Sequence, residues 1–370
     1  MIVGFATPEG TQKFAARFQG KAAPGHYKIK HDLSVSSVGL GTYLGESDES
    51  TDQAYWEAAL KAVELGLNVM DAAINYRCQR SERVIGRALE VLTREKGFLR
   101  DEIVISTKGG FIPFDGTVPS DPDRYLHSEY LDKGILEAAE VVAGCHAMTP
   151  KYLADQLEKS RRNLGLETVD IYYLHNPETQ LEEISKKEFL DRIRAAFEFL
   201  EKAVSEGKIR MYGTATWNGY RISPQAKTYL SLEELVLTAR EVAGAGHHFK
   251  AVQLPYNLAM PEAFLAANQQ VGPAWGSLLE ACARYDMMVM SSASLMQGRL
   301  TQKLPGSLKQ LLKGFKTDAQ CALQFIRSTP DVQTALVGMK TSAHVEDNLG
   351  LATVAPLSRE LFAKLFSPAS

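Results

Sequence analysis

The chain has 370 residues, 45% of them hydrophobic and 23% charged, a globular balance with enough apolar material for a large core. A formal net charge of −3 and a pI near 6.3 argue against a nucleic-acid footprint or a basic patch for a membrane surface. No apolar run approaches the roughly 20 residues that a membrane-spanning helix needs.

Residues 1–34 open the chain without the apolar core of a signal peptide. Lys13, Arg17 and Lys21 make this stretch weakly basic, but Glu9 and the Pro24-Gly25 turn break any long amphipathic helix. It reads as an N-terminal extension capping the bottom of the fold. Residues 35–370 read as one domain. Cys78, Cys145, Cys282 and Cys321 are widely scattered, with no CxxC and no zinc-type Cys/His spacing. They predict reduced thiols in a cytoplasmic protein with no metal site.

From there, short apolar runs alternate with amphipathic segments eight times. The runs are SSVGLGTYL, NVMDAAINY, EIVISTKGG, VDIYYLHNP, IRMYGTATW, KAVQLPYN, MMVMSSASL and VQTALVGMK. Each is bounded by Gly, Pro, Asn or Asp, as buried parallel strands are. Helical spacing appears over 51–65, closed by Gly66, over 81–92, and from Thr149-Pro150 through Leu164. It returns over 189–205, 231–242, 275–284, 318–328 and 342–349, and Trp56 and Trp275 are expected to pack within such helices. Eight strand–helix units predict an α/β fold, a closed (β/α)8 TIM barrel. No GxGxxG follows the first run, which speaks against a dinucleotide-binding open sheet. About forty residues, 109–148, separate the third strand from its helix, far more than the usual two to six. This long loop, with a small helix expected near 135–143, should shape a substrate site.

In such a barrel, polar groups at strand C-termini carry the chemistry. Asp71 ends the second run and Tyr76 follows five residues later; Lys108 ends the third and His175 the fourth. Each alone has an ordinary reading: a turn cap, a packed ring, a solvated ammonium, a satisfied histidine. Converging on one face, they make a proton-donating site. A phenol with a pKa of about 10 is a weak acid at neutral pH, and a nearby ammonium lowers it by stabilising the phenolate. Asp71 would hold Lys108 charged, and His175 would polarise a carbonyl oxygen. His247-His248, in a polar loop before strand six, has no partners of metal-site type, and no HxH stands at a strand end.

The chain resembles the aldo-keto reductases from about Val35 to Leu349. The segments VGLGTYLG, NVMDAAINYRCQRSERVIGRAL, VISTKGG, VDIYYLHNPE, KIRMYGTATW, VQLPYN, SLMQGRL and VGMKTSAHVEDNL carry the resemblance. It implies reduction of an aldehyde or ketone with NADPH, NAD being the alternative cofactor, and Asp71, Tyr76, Lys108 and His175 as the catalytic four. It implies cofactor contacts at Thr42, Asp71, Thr216, Gln253, Ser292, Leu295, Gly298, Gly338, Lys340, His344, Asp347 and Asn348. It places Tyr43, Phe111, Phe114 and Trp217 around a small-molecule carbonyl substrate.

Three positions depart from the family pattern. Ala215-Thr216 stands where the family has Ser-Asn or Ser-Arg. Ser292 stands where an aromatic ring stacks on the nicotinamide, leaving Trp217, Tyr256 or the long loop to supply one. His344 replaces an arginine that grips the 2′-phosphate, and Lys340 offers only a point charge. Two other readings stay open: a cofactor-binding regulatory subunit with little turnover, and a Schiff-base aldolase using Lys108. The sequence has no readable code for oligomeric state.

Overall fold

The computed structural model describes residues 1–312 and 314–366. The eight apolar runs form eight parallel strands: β1 (Val38–Gly41), β2 (Val69–Asp71), β3 (Val104–Gly109), β4 (Val169–His175), β5 (Ile209–Ala215), β6 (Phe249–Pro255), β7 (Met288–Ser292) and β8 (Thr334–Gly338). They close into a barrel as β6 pairs back onto β7. The outer helices are α1 (Glu49–Glu64), α2 (Arg80–Arg94), α3 (Pro150–Leu164), α4 (Lys186–Ser205), α5 (Leu232–Ala243), α6 (Leu278–Arg284), α7 (Asp318–Ser328) and α8 (Ser342–Leu349). Their starts follow local chemistry. The Asp48 carboxylate accepts from Thr51 N, and Ser277 and Glu280 form a reciprocal capping box.

The two-residue period of a strand decides what faces the barrel interior. Val69, Val104, Ile171, Tyr173, Ala251, Met288, Met290 and Leu336 share one inner apolar cluster. Two residues further along the same strands, the same faces present Asp71, Ser106, Gln253, Ser292 and His175. The apolar lower layers therefore carry a polar upper layer at the strand ends. Gly213 is required within this stack: a Cβ there would lie 2.0 Å from the Ala251 carbonyl oxygen and 2.9 Å from the Tyr173 ring.

Below the barrel, an antiparallel hairpin pairs Tyr27–Lys30 with Leu33–Ser36. Leu33, Val35 and Ala6 join the inner cluster from that end. A buried ion pair ties the N-terminal segment to two strands. Asp170 accepts from Arg100 Nη2 at 2.7 Å, from Ile105 N at 2.7 Å and from Ala6 N at 2.6 Å.

Two expectations are corrected. The helix of the long loop is not at 135–143. It starts at Pro122, where Asp121 caps Arg124 N at 2.9 Å, and continues as a π turn to Leu131. The segment 135–143 keeps one 3-10 turn, Ala138–Glu140, because Leu136 and Val142 turn inward and Val142 pairs with His146. Trp275 is not in a helix. It lies on a short strand, Ala274–Gly276, of a hairpin preceding α6, and is 55% exposed. Trp56 does lie in α1 and packs against the main core.

Asp170→Ala would leave the Arg100 guanidinium buried without its counter-charge. It is expected to destabilise the fold by about 3–5 kcal/mol, the usual consequence of breaking a buried pair from one side. Urea unfolding checks this, and a midpoint equal to that of the wild type would refute it.

Candidate active site

The upper layer of the barrel converges on one carboxylate. Lys108, with no exposed surface, donates from Nζ to Asp71 Oδ2 at 2.6 Å and to the Ala72 carbonyl at 2.7 Å. Asp71 Oδ1 accepts from Ser106 Oγ at 2.7 Å and from Gln253 Nε2 at 2.9 Å. Three donors thus meet the carboxylate, two on Oδ1 and one on Oδ2, as a buried charge requires. One N–H of the Gln253 amide is used on Asp71, and its carbonyl oxygen and second N–H remain for a ligand.

Tyr76 sits on the turn after β2 with its ring over Lys108, Nζ lying 4.6 Å from the centroid. His175, at the end of β4, meets the Tyr76 ring edge-on at 5.7 Å. Tyr43 packs edge-on against the other side of Tyr76 at 5.0 Å, and Phe111 against His175 at 5.1 Å. All four residues named from the sequence as catalytic come together.

The electrostatics differ in one respect from the expectation. Burial raises the Tyr76 phenol above its ordinary range, and the Lys108 ammonium only partly offsets this. Burial alone would push Lys108 down, but Asp71 and Tyr76 together hold it above its usual value. Burial, then the Lys108 charge, drives His175 well below the ordinary histidine range. At neutral pH the site therefore holds a protonated phenol, a charged lysine and a neutral imidazole. A protonated Lys108 has no lone pair for Schiff-base chemistry, which counts against the aldolase reading.

These groups stand at the edge of a cleft of about 1120 Å³ across the C-terminal strand ends. Thr42, Thr216, Gln253, Ser292, Leu295, Gly298, Gly338, Lys340, His344, Asp347 and Asn348 all line it, with Tyr43, Phe111 and Trp217. Phe114 does not; its ring packs edge-on against Tyr125 at 5.4 Å within the long loop. Tyr256 is no substitute for the ring missing at Ser292. It is buried, stacked on Phe325 at 5.5 Å, with its hydroxyl 3.1 Å from Thr329 Oγ1. Trp217, 46% exposed, does line the cleft. Asp347 is already held by Thr317 Oγ1 at 3.0 Å, while Lys340 and His344 are exposed at the start of α8.

The cleft suits an elongated polar ligand such as a nicotinamide dinucleotide. Thr216 Oγ1 and Asn75 Oδ1 are buried in residues of its wall without hydrogen-bond partners. Three supporting residues were missed from sequence. Ser106 was accessible to the period-two rule, since it shares the inward face of Lys108. Glu178 Oε1 accepts from the backbone N–H of Trp217, Asn218 and Gly219 at 2.7, 3.1 and 3.2 Å, fixing the Trp217 loop. His146 lies 2.7 Å from the His175 carbonyl oxygen. Neither Glu178 nor His146 carries a sequence signal, because both partners are distant main-chain atoms.

A model of the Aldo/keto reductase family matches residues 37–367. The chain is 27% identical over 206 residues to a Schizosaccharomyces pombe protein named provisionally as a voltage-gated potassium channel subunit beta, covering 55% of this chain and 48% of that one. It is 26% identical over 212 residues to the NADH-specific methylglyoxal reductase of Escherichia coli, covering 55% and 54%. The chain spans about half the length of these curated relatives. Among solved structures, an aldo/keto reductase from Klebsiella pneumoniae in complex with NADP and acetate shares the fold, with a TM-score of 0.60 and 22% identity over 93% of this chain and 94% of that one.

The buried histidines make stability depend on pH. Burial holds His146 at about 4 and His175 lower than its ordinary range. Between about pH 6.5 and 4 the unfolded chain takes up protons at these rings that the folded chain does not, so their contribution falls as pH falls. Glu82 and Glu178, raised by burial, act in the opposite sense. Comparison with His146→Gln isolates the histidine. Between pH 7 and pH 5 the wild type should lose about 2 kcal/mol more than the variant, and urea unfolding at both pH values measures it. Parallel losses in the two proteins would contradict the buried, neutral ring.

Proposed function

As the chain belongs to the aldo/keto reductase family, we propose that it reduces an aldehyde or ketone to the alcohol with NAD(P)H. The observation that carries this reading is the Lys108–Asp71 pair sealed beneath Tyr76, with the His175 ring at the edge of the same cleft. The nicotinamide cofactor, when bound, supplies the hydride. Tyr76 gives its proton to the carbonyl oxygen. Burial keeps the phenol protonated until that moment, and the Lys108 ammonium stabilises the phenolate that remains. Asp71 keeps Lys108 charged and in place.

His175 orients and polarises the carbonyl. Its Nδ1 is buried with no partner, and the ring borders the cleft. Thr216, the Gln253 carbonyl oxygen and Ser292 would hold the nicotinamide end. Lys340 and His344 would meet the 2′-phosphate, and Asp347 and Asn348 the adenine. Thr42, Leu295, Gly298 and Gly338 complete the cofactor wall; Tyr43, Phe111 and Trp217 contact the substrate. Residues 1–34 cap the barrel, and the four free thiols suit a reducing cytoplasm. No helix among the described residues is long and apolar enough to cross a membrane. The regulatory-subunit reading draws on the name of the fission-yeast relative and on the ring missing at Ser292. Measured turnover separates it from catalysis.

The purified chain should oxidise NADPH in the presence of an activated aldehyde such as a nitrobenzaldehyde. Tyr76→Phe should lower the rate by roughly 10²–10⁴-fold, the range for losing a positioned general acid. NADPH binding, followed by protein fluorescence, should persist. Wild-type turnover in the variant would remove Tyr76 from the mechanism. NADPH should also bind more tightly than NADH, with Lys340→Ala narrowing the gap; equal dissociation constants would refute a 2′-phosphate contact.

A further inference from the structure

The long loop after β3 leaves and returns through a paired stem. Ile112 N donates to the Cys145 carbonyl at 2.8 Å and Ala147 N to the Gly110 carbonyl at 3.0 Å, with Phe111 and His146 bridged between them. Both bridged residues touch His175. The Phe111 ring meets the His175 ring edge-on, and His146 Nε2 lies 2.7 Å from the His175 carbonyl oxygen.

His146 is 1% exposed, and hydrogen bonds define its tautomer. A carbonyl oxygen only accepts, so Nε2 carries the proton. Nδ1 must then accept, and Gln180 Nε2 stands 2.9 Å away to donate. Gln180 is held in turn by Arg192, whose Nη1 donates to Oε1 at 2.5 Å. The contact is also tightly packed. A Cβ on Gly110 would stand 2.7 Å from the His175 oxygen and 2.8 Å from His146 Nε2. A chain of Arg192, Gln180 and His146 therefore ends on the main chain of the residue that faces the carbonyl.

We propose that His146 is the positioning residue for His175: through the His175 carbonyl it fixes the end of β4, and with it the angle at which the His175 ring meets the substrate. This rests on the reading of His175 as the carbonyl-polarising group. It also links the catalytic ring to the stem of the loop that bears Phe111. A change in ring position of about 1 Å is enough to cost up to 10²-fold in rate.

The test uses the full chain with His146→Leu and His146→Gln. The glutamine amide reaches the same carbonyl, whereas leucine keeps bulk and loses the donor. Three readouts are taken: the ¹⁵N imidazole signals of His175 without substrate, kcat and KM for the aldehyde, and the NADPH dissociation constant. The expected result is that His146→Leu shifts the His175 signals and lowers kcat about tenfold, a 1.4 kcal/mol effect. NADPH affinity should stay within about twofold, and His146→Gln should recover most of kcat. Unchanged His175 signals in His146→Leu would overturn the proposal. So would equal losses in both variants, since these would mean that ring packing alone matters. If the wild type shows no turnover, the reductase reading falls, and the His175 signals still decide the role of His146.

Discussion

An ammonium and a carboxylate sealed inside a barrel must satisfy each other completely, and the arrangement around Lys108 and Asp71 follows from that requirement. Removing two charges from water costs several kcal/mol per ion unless the geometry returns it. Here the two bonds of Lys108 and the two donors to Asp71 come from β2, β3, β6 and the turn after β2. A slip of one residue in any of these strands would turn a polar partner outward and an apolar residue inward. The pair therefore sets register as well as charge. It also sets the charge state of its neighbours, because one fixed cation beside a buried phenol and a buried imidazole favours the phenolate that catalysis would generate and disfavours imidazolium.

Much of this was legible in the sequence because the relevant signals are local. Eight apolar runs, each ending in a turn residue, announce eight buried strands. The polar residue closing an apolar run announces a strand end, which is how Asp71, Lys108 and His175 are found. Tyr76 is marked by its place in the turn after Asp71 and by the chemistry of its neighbours, and the family resemblance strengthens it, since a tyrosine five residues past a strand has no periodicity of its own. Contacts between distant segments were not legible. The partner of Gln253 is Asp71, 182 residues away. Phe114 faces Tyr125 rather than the cleft, because the loop folds around its own apolar cluster. The helix in that loop follows the Asp121-Pro122 cap rather than the apolar stretch beyond it. Trp275 lies on a hairpin because Gly272, at φ 67, turns the chain between two short strands.

Electrostatics were legible in sign for individual pairs but not in sum. An ammonium beside a phenol lowers its pKa, as charge alone dictates. The net direction depends on burial, and burial belongs to the fold. The same competition keeps His146 and His175 neutral, so the site works with one permanent cation and several neutral donors.

The paired stem of the loop after β3 has a further meaning for how this surface can vary. Its two ends are already held together at Gly110–Ala147 and Ile112–Cys145, so the segment between them closes on itself independently of its length. For a loop with fixed ends, doubling the number of residues adds only about 0.6 kcal/mol of closure entropy. Segments of different length and composition can therefore be exchanged at the tip while the stem, the Phe111 wall and the His175 carbonyl stay where they are. The barrel carries this loop tip as a replaceable part, of which only the stem, through Phe111, borders the cleft.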